Sequence, residues 1–484
     1  VKTASTENPV RLSWLREQGL RLDAAPYLSG AFAAKQLLKR LSVRKDPLSD
    51  LTAGHNGGIF NGPKFSRVYV NDPEQGVPFL GSTDMMEADL THLPLLGHEV
   101  ANKFQYLEIQ PGMTLISCSG TIGRMAYVRP DMRGIWSSQH VMKVQANPAR
   151  VKSGYLNTFL RSRFGVPIIT SHAYGAIIQH IEPHHIADLP VPRFGEDVEN
   201  RIHDLVEEAA SLRAEFQSGL EEATRDLFTT ARLEKLLDLR WHEQPRDLGF
   251  TQRGLTPTTL RALNYQPRAR RIINELREVD HVLLGDICKG GQLSRGLRFT
   301  RVEGAEGTQY SYKLVGQRQA FWLRPEGRWV SKANTSPEVL APDETILIAS
   351  QGTLGENEVF GRPIFATGSW LTYAFSEHFL RVRPGDSPFT GAYLFAFLRS
   401  ESMFRVLRSM STGGKQQDIH TGLCAEVPVP LLTAADRDRI TETIRTAYRK
   451  RDEADAKEDQ ALDLLDKAVA EHTGVAPAEL PTPA

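Results

Sequence analysis

Residues 196–236 read EDVENRIHDLVEEAASLRAEFQSGLEEATRDLFTTARLEKL, a run without a single proline. Within it Leu205, Ala209, Leu212, Phe216, Leu220, Ala223 and Leu227 follow one another at intervals of three or four. That spacing puts all seven on one stripe of a long amphipathic helix. The run begins after Pro190-Val191-Pro192, which stops whatever precedes it because proline lacks the amide hydrogen. A helix of about forty residues spans roughly 60 Å, and an apolar seam of that length needs a partner. The stretch of matching length is 432–471, behind a second stop at Pro428-Val429-Pro430. There Ile440, Ile444, Ala447, Ala454, Ala461, Leu465 and Ala468 recur at similar spacing, and small residues permit close approach. The pattern predicts two long spacer helices packed antiparallel as a coiled coil.

The two stops and helices belong to a larger repeat. Leu48-Ser49-Asp50-Leu51 with Gly54 returns as Leu284-Gly285-Asp286-Ile287 with Gly290 (286 − 50 = 236). Gly120-Thr121-Ile122-Gly123 returns as Gly352-Thr353-Leu354-Gly355 (352 − 120 = 232). Tyr155-Leu156 returns as Tyr393-Leu394, and the first Pro-Val-Pro as the second (393 − 155 and 428 − 190, both 238). Matched blocks in one order, with an offset drifting by a few residues, mark a tandem duplication with loop insertions. The expected fold class is α/β, or α+β, with a pseudo-two-fold internal repeat. The boundaries read as a globular domain over 1–195, a helix over 196–236, a second domain over 237–431, a helix over 432–471 and a flexible tail over 472–484.

Composition fits folded domains. Of 484 residues, 40% are hydrophobic and 24% charged, which favours a packed core over disorder. No apolar stretch approaches the length of a membrane span, and Arg11, Arg16, Glu17 and Arg21 interrupt any signal-peptide core. Cys118, Cys288 and Cys424 are too dispersed for a disulfide framework or a zinc site. They are expected to be reduced thiols of a cytoplasmic protein. The 58 basic and 58 acidic residues cancel, which excludes a uniformly basic protein but leaves room for a local basic face.

Short strands are expected over 77–80, 113–117, 124–128, 140–144 and 177–181, and a helix over 154–164. No catalytic constellation accompanies them. Gly413-Gly414-Lys415 lacks the spacing and the Ser/Thr of a phosphate loop, and no His-Glu-x-x-His occurs. His184-His185 reads as a surface pair, and Asp84, Glu87 and Asp89 show no nuclease spacing. Each half instead carries polar loops around an aromatic residue. The first has Ser119, Thr121 and Arg124, then Ser138, Gln139 and His140 behind Trp136, then Tyr174 and Gln179. The second has Gln351 and Thr353, then Ser369 and Trp370, then Lys415, Gln416 and Gln417. Such side chains hydrogen-bond base edges and phosphates, so these residues are the candidate DNA-binding set, with no catalytic and no metal-binding residues.

The chain resembles the specificity subunits of type I restriction–modification systems. The likeness rests on the Ser-Gly-Thr-Ile-Gly segment at 119–123 and its counterpart at 351–355. It rests also on Gly76-Val77-Pro78-Phe79 and on the Pro-x-Pro segments that lead into long helices, and it covers roughly residues 11–470. The second half departs from it at Gly307-Thr308-Gln309-Tyr310 and at Gln351. The resemblance implies two target-recognition domains, each reading half of a bipartite, asymmetric site in double-stranded DNA. It implies two methyltransferase subunits docked on the helices, with restriction subunits as further partners in a phage-defence complex. S-adenosylmethionine would belong to the methyltransferase, and this chain would hold no cofactor and have no enzyme activity of its own. The competing expectations are a coiled-coil scaffold for other proteins and a nuclease or transferase with an unrecognised site.

Overall fold

The computed structural model describes residues 10–17, 20, 22, 27, 30–173, 179–256, 258–477 and 480. The chain forms two compact units, one of residues 1–214 with 453–484 and one of residues 215–452.

In the first unit an antiparallel sheet is ordered Ile59–Phe60, Val141–Val144, Thr114–Ser117, Met125–Tyr127. Successive strand residues face opposite sides. Ile116 and Met142 therefore enter a core beneath the helices, while Leu115 and Val141 enter a second core on the other face. A second sheet is ordered Tyr69–Val70, Leu95–Gly97, Gly76–Leu80, Trp136–Ser137. Its last two strands run parallel, with Phe79 opposite Trp136. The helices Ala31–Arg40, Ser153–Arg161 and Gly165–Ser171 cover the first core, which also takes in Ile202, Leu205, Ala461 and Leu465 from the two long helices.

The second unit repeats this order of connections. Its sheet is ordered Gln292–Arg295, Phe379–Arg383, Thr345–Ala349, Pro363–Ala366, all antiparallel. Its second sheet is ordered Gly327–Ser331, Ser311–Val315, Tyr373–Phe375, and the last pair is again parallel. The helix Pro267–Arg277 occupies the place of Ala31–Arg40, packing on Glu401–Ser409 as its counterpart packs on Gly165–Ser171.

The Pro-Val-Pro segments are more than stops. Pro190–Pro192 pairs antiparallel with Lys45–Pro47, and Pro428–Pro430 with His281–Leu283. Proline is admissible there because each ladder has only two strands, so both strands are edges. The Tyr155 hydroxyl donates to the Pro192 carbonyl, and the Tyr393 hydroxyl donates to the Pro430 carbonyl at 2.7 Å. Each long helix thus leaves from a pinned strand.

The long helices are Glu196–Thr230 and Ala434–Thr473. The first is shorter than the proline-free run because Arg232 turns to φ 59° and a 3₁₀ turn follows at Glu234–Leu236. The helices pair antiparallel within each unit. In the first, Lys457 meets Glu208 at 2.8 Å and Arg213 meets Asp455 at 2.7 Å. In the second, Lys450 meets Glu215 at 2.8 Å and Arg439 meets Asp226 at 2.9 Å. All seven apolar positions of the second helix are buried. In the first helix Leu212 is only half-buried, and the neighbouring Arg213 takes the interior place.

Candidate nucleic-acid interface

In the first unit the polar loops converge at one end of the sheets. The turn at 119–123 is built by the Ser117 hydroxyl, which donates to the Thr121 carbonyl at 2.6 Å and accepts from the Arg124 amide at 3.0 Å. Gly120 and Gly123 have φ 77° and 85°, and a Cβ on Gly123 would come within 2.5 Å of Thr170. Those glycines are there for the backbone, and they leave Thr121 exposed. Ser119 forms a β-bridge with His180, and the Gly120 amide donates to the Gln179 carbonyl at 3.2 Å. Beside them Gln139 and His140 touch through their side-chain nitrogens at 3.1 Å, and Arg67 donates to Gln139 Oε1 at 2.7 Å. Partial burial lowers the pKa of His140, and the positive charges of Arg67, His180 and Lys64 lower it further. At neutral pH the imidazole is therefore an uncharged donor and acceptor in a cationic setting.

Lys64 and Arg67 lie in a segment, Lys64-Phe65-Ser66-Arg67, whose ring points inward and whose cations point outward. Phe65 stacks on Phe104 at 4.7 Å and meets Phe79 edge-on at 6.2 Å, while Lys64 and Arg67 are exposed. The second unit contains Arg298-Phe299-Thr300-Arg301 in the same place (301 − 67 = 234). Phe299 packs among Leu314, Val330 and Ala374, and Arg301 pairs with Glu377 Oε2 at 2.8 Å. Burial opposes ionisation of Glu377. Its own backbone amide, Arg301 and His378 outweigh that and hold its pKa below the usual carboxylate value.

Backbone bonds fix the correspondence between the units. The Cys118 amide donates to the His140 carbonyl and the Ser350 amide to the His378 carbonyl, both at 3.0 Å. Ser119 bridges His180 just as Gln351 bridges Asp418. Gln139 and His140 therefore correspond to Glu377 and His378 (377 − 139 = 238).

Five sequence candidates of the second unit, Gln351, Thr353, Lys415, Gln416 and Gln417, gather on or beside a small sheet, Gln351–Gly352 with Gln417–Ile419 and Ser411–Gly413. Gln317 brackets the Gln351 backbone, donating to its carbonyl at 2.5 Å and accepting from its amide at 3.2 Å. Thr353, Lys415 and Gln416 are exposed around it. Gln417 is buried, accepting from Arg261 at 2.7 Å and donating to the Gly414 carbonyl. Ser369 and Trp370 lie elsewhere, against the second long helix. Ser369 bonds Asp452 through its amide and hydroxyl, both at 3.1 Å, and Arg451 covers the Trp370 ring at 4.4 Å. In the first unit Ser138 is buried, its amide donating to the Leu80 carbonyl at 2.9 Å. Arg124 and Gln179 border the turn, and Tyr174 lies outside the described residues.

Lys64, Arg67, Arg298, Arg301 and Glu377 of this surface were not singled out by sequence reading. The signal was present in the repeat itself. The 238 offset that relates Tyr155 to Tyr393 carries Gln139 to Glu377, whereas Trp370 resembled Trp136 only in residue type.

The other polar groups are engaged structurally. Asp84 accepts from the Gly81 amide at 2.8 Å, Glu87 meets His92 at 3.3 Å, and Asp89 caps Thr91. Burial pushes the thiols of Cys118 and Cys288 up to about 11 and that of Cys424 to about 12, so they are protonated rather than nucleophilic. Among the described residues no group of three or more His, Cys, Asp or Glu side chains is placed to hold a metal. Among the same residues no helix is long and apolar enough to cross a membrane.

No protein-family model matches the sequence, and no curated protein matches it. Among solved structures the chain is similar to the type I restriction–modification S subunit from M. genitalium. The identity is 13%, with 89% of this chain and 96% of that chain covered at a TM-score of 0.34. It is similar to the HsdS subunit from Thermoanaerobacter tengcongensis at 14% identity, 90% and 97% coverage and a TM-score of 0.26. A chain from a structure concerned with complex assembly and conformational transition of the type I R-M system gives 15%, 88% and 97%, and 0.24. Superposition this loose leaves the functional reading to the chain's own residues.

Proposed function

We propose that this protein is the non-catalytic DNA-recognition subunit of a restriction–modification or related methylation-based defence complex. Each unit reads one half of a bipartite, asymmetric duplex site. The observation that carries this reading is the duplicated surface. A basic-aromatic-hydroxyl-arginine segment stands at one position in both units, its closing arginine bonded to the residue before a histidine. The two surfaces differ in charge where they correspond, with Gln139 and His180 in one and Glu377 and Asp418 in the other. Two related but unlike surfaces suit an asymmetric site, since neutral amides and carboxylates prefer different base edges.

The long helices serve as the docking surface for two methyltransferase subunits, which bring S-adenosylmethionine, and for restriction subunits where the system cleaves. The complex works in the cytoplasm, where its DNA is. Phosphate neutralisation is shared with these partners, since the chain's own charges cancel. The chain alone therefore binds DNA modestly, and the complex binds more tightly and with strong salt dependence. The test is to co-purify the chain with the methyltransferase encoded beside it and to map the modified sites. A two-part motif with a fixed gap is the expected result, and a continuous or palindromic motif overturns the proposal.

A further inference from the structure

We propose that Arg67 and Arg301 are the guanine-reading side chains of the two units, each held in place by the residue before the loop histidine, Gln139 or Glu377. This rests on the DNA-reading role above and assigns it to particular atoms. Arg67 and Arg301 sit in equivalent registers. The carbonyl of the residue after each accepts a strand amide at 2.9 Å, Val68 from Gly97 and Val302 from Ser331. Both guanidinium groups are anchored through one terminal nitrogen, at 2.7 Å to Gln139 and at 2.8 Å to Glu377, and both residues are exposed. The Arg67 guanidinium also lies 5.3 Å from the centre of the Phe79 ring.

An arginine carries five donors in a rigid fork. Fixing one edge of that fork removes rotamer freedom and leaves other donors for a bidentate pair with O6 and N7 of guanine. A phosphate contact asks for less, because a mobile cation satisfies it. The carboxylate of Glu377 would also repel a phosphate drawn to Arg301. Lys64 and Arg298, three residues earlier and exposed, are the backbone-binding cations of the same segments.

The test exposes the complex of the full chain and its methyltransferase to a pool of randomised duplex DNA and sequences what is retained. The wild-type complex is expected to enrich a two-part motif with a guanine in each part. Arg67→Lys keeps the charge and removes the fork. It should reduce the preference for one guanine in one part by about tenfold or more and leave the other part unchanged. Arg301→Lys should do the reverse. Gln139→Ala, which frees Arg67 without removing it, should weaken the preference at the Arg67 position alone. Lys64→Ala should weaken binding to all sequences evenly and lower the salt slope by about 1. Arg67→Lys and Arg301→Lys that leave both parts unaltered overturn this proposal and leave the recognition role standing, as does an even loss across all sequences. A wild-type complex that enriches no two-part motif overturns both.

Discussion

Lys143 occupies the middle of the first sheet opposite Leu115, and Arg381 occupies the matching place opposite Leu347 in the second. Both are buried, and the two units treat their charge differently. Lys143 donates to Ser137 Oγ at 2.9 Å and lies 5.3 Å from the centre of the Phe60 ring. Burial pushes its pKa from 10.5 down to about 7, against a smaller upward pull from Cys118. A lysine can lose its proton, so one hydroxyl suffices. Arginine stays charged, and Arg381 donates to the carbonyls of Glu338, Val339 and Leu340, each at 2.8 Å. The pH dependence has a definite sign. Between about pH 7 and 10.5 the unfolded chain binds a proton at Lys143 that the folded chain does not, so this group makes folding more favourable as pH rises. Lys143→Met should raise the thermal midpoint, with the largest gain below about pH 7 and little near 10.5. Arg381→Met should lower the midpoint, because it strands three carbonyls. A gain for Lys143→Met that grows with pH would contradict this account. Neither buried cation was legible in the sequence. Strand alternation marks positions as inward, but only the packed structure shows which inward position tolerates a charge.

At the level of elements the helix pair was the most legible feature, because few arrangements besides paired helices keep a regular apolar seam over so many turns. Its details were less so. Arg213 lies inside, bonded to Asp455 at 2.7 Å and Glu458 at 3.2 Å, and a hydrophobic periodicity skips over an arginine that carries its own counter-ions. Gly219 shows how close the helices come. A Cβ there would stand 3.1 Å from the Ala447 Cβ, tighter than ordinary contact. Gly219→Val should cost roughly 1–3 kcal/mol in urea unfolding, the usual range for overpacking. Ala447→Gly in the same chain should recover much of it, and a double-mutant cycle showing no coupling would refute the close contact. The strands at the Pro-Val-Pro segments were missed for a local reason. Proline reads as a breaker unless the ladder is known to consist of edges.

For the whole molecule, the duplication could be read from a handful of matched blocks, and the structure extends it to strand order, a parallel pair and two tyrosine pins. The proposed recognition surface was half legible in the sequence. Exposed polar loops announced themselves, whereas Arg67 and Arg301 depend on a register that only pairing fixes. We propose that the long helices also act as a ruler that sets the unread gap between the two half-sites, and the unit boundaries suggest a test. Inserting seven residues after Ala214 and seven after Asp452 keeps every pair within each unit and returns the seam to one face. The insertion adds about 10 Å of helix, so the unread gap in the mapped site should grow by about three base pairs, with unchanged sequences in both parts. An unaltered gap would refute the ruler.

The same boundaries bear on synthesis. The second unit is one unbroken stretch, 215–452, whereas the first needs residues from 453 onward. Ala461, Leu465 and Val469 complete its core, and Asp455 and Glu458 neutralise Arg213. As the ribosome works from the amino terminus, the half translated first must wait, with apolar surface uncovered, until the half translated second is already whole. The chain inverts the usual order in which leading domains mature before trailing ones.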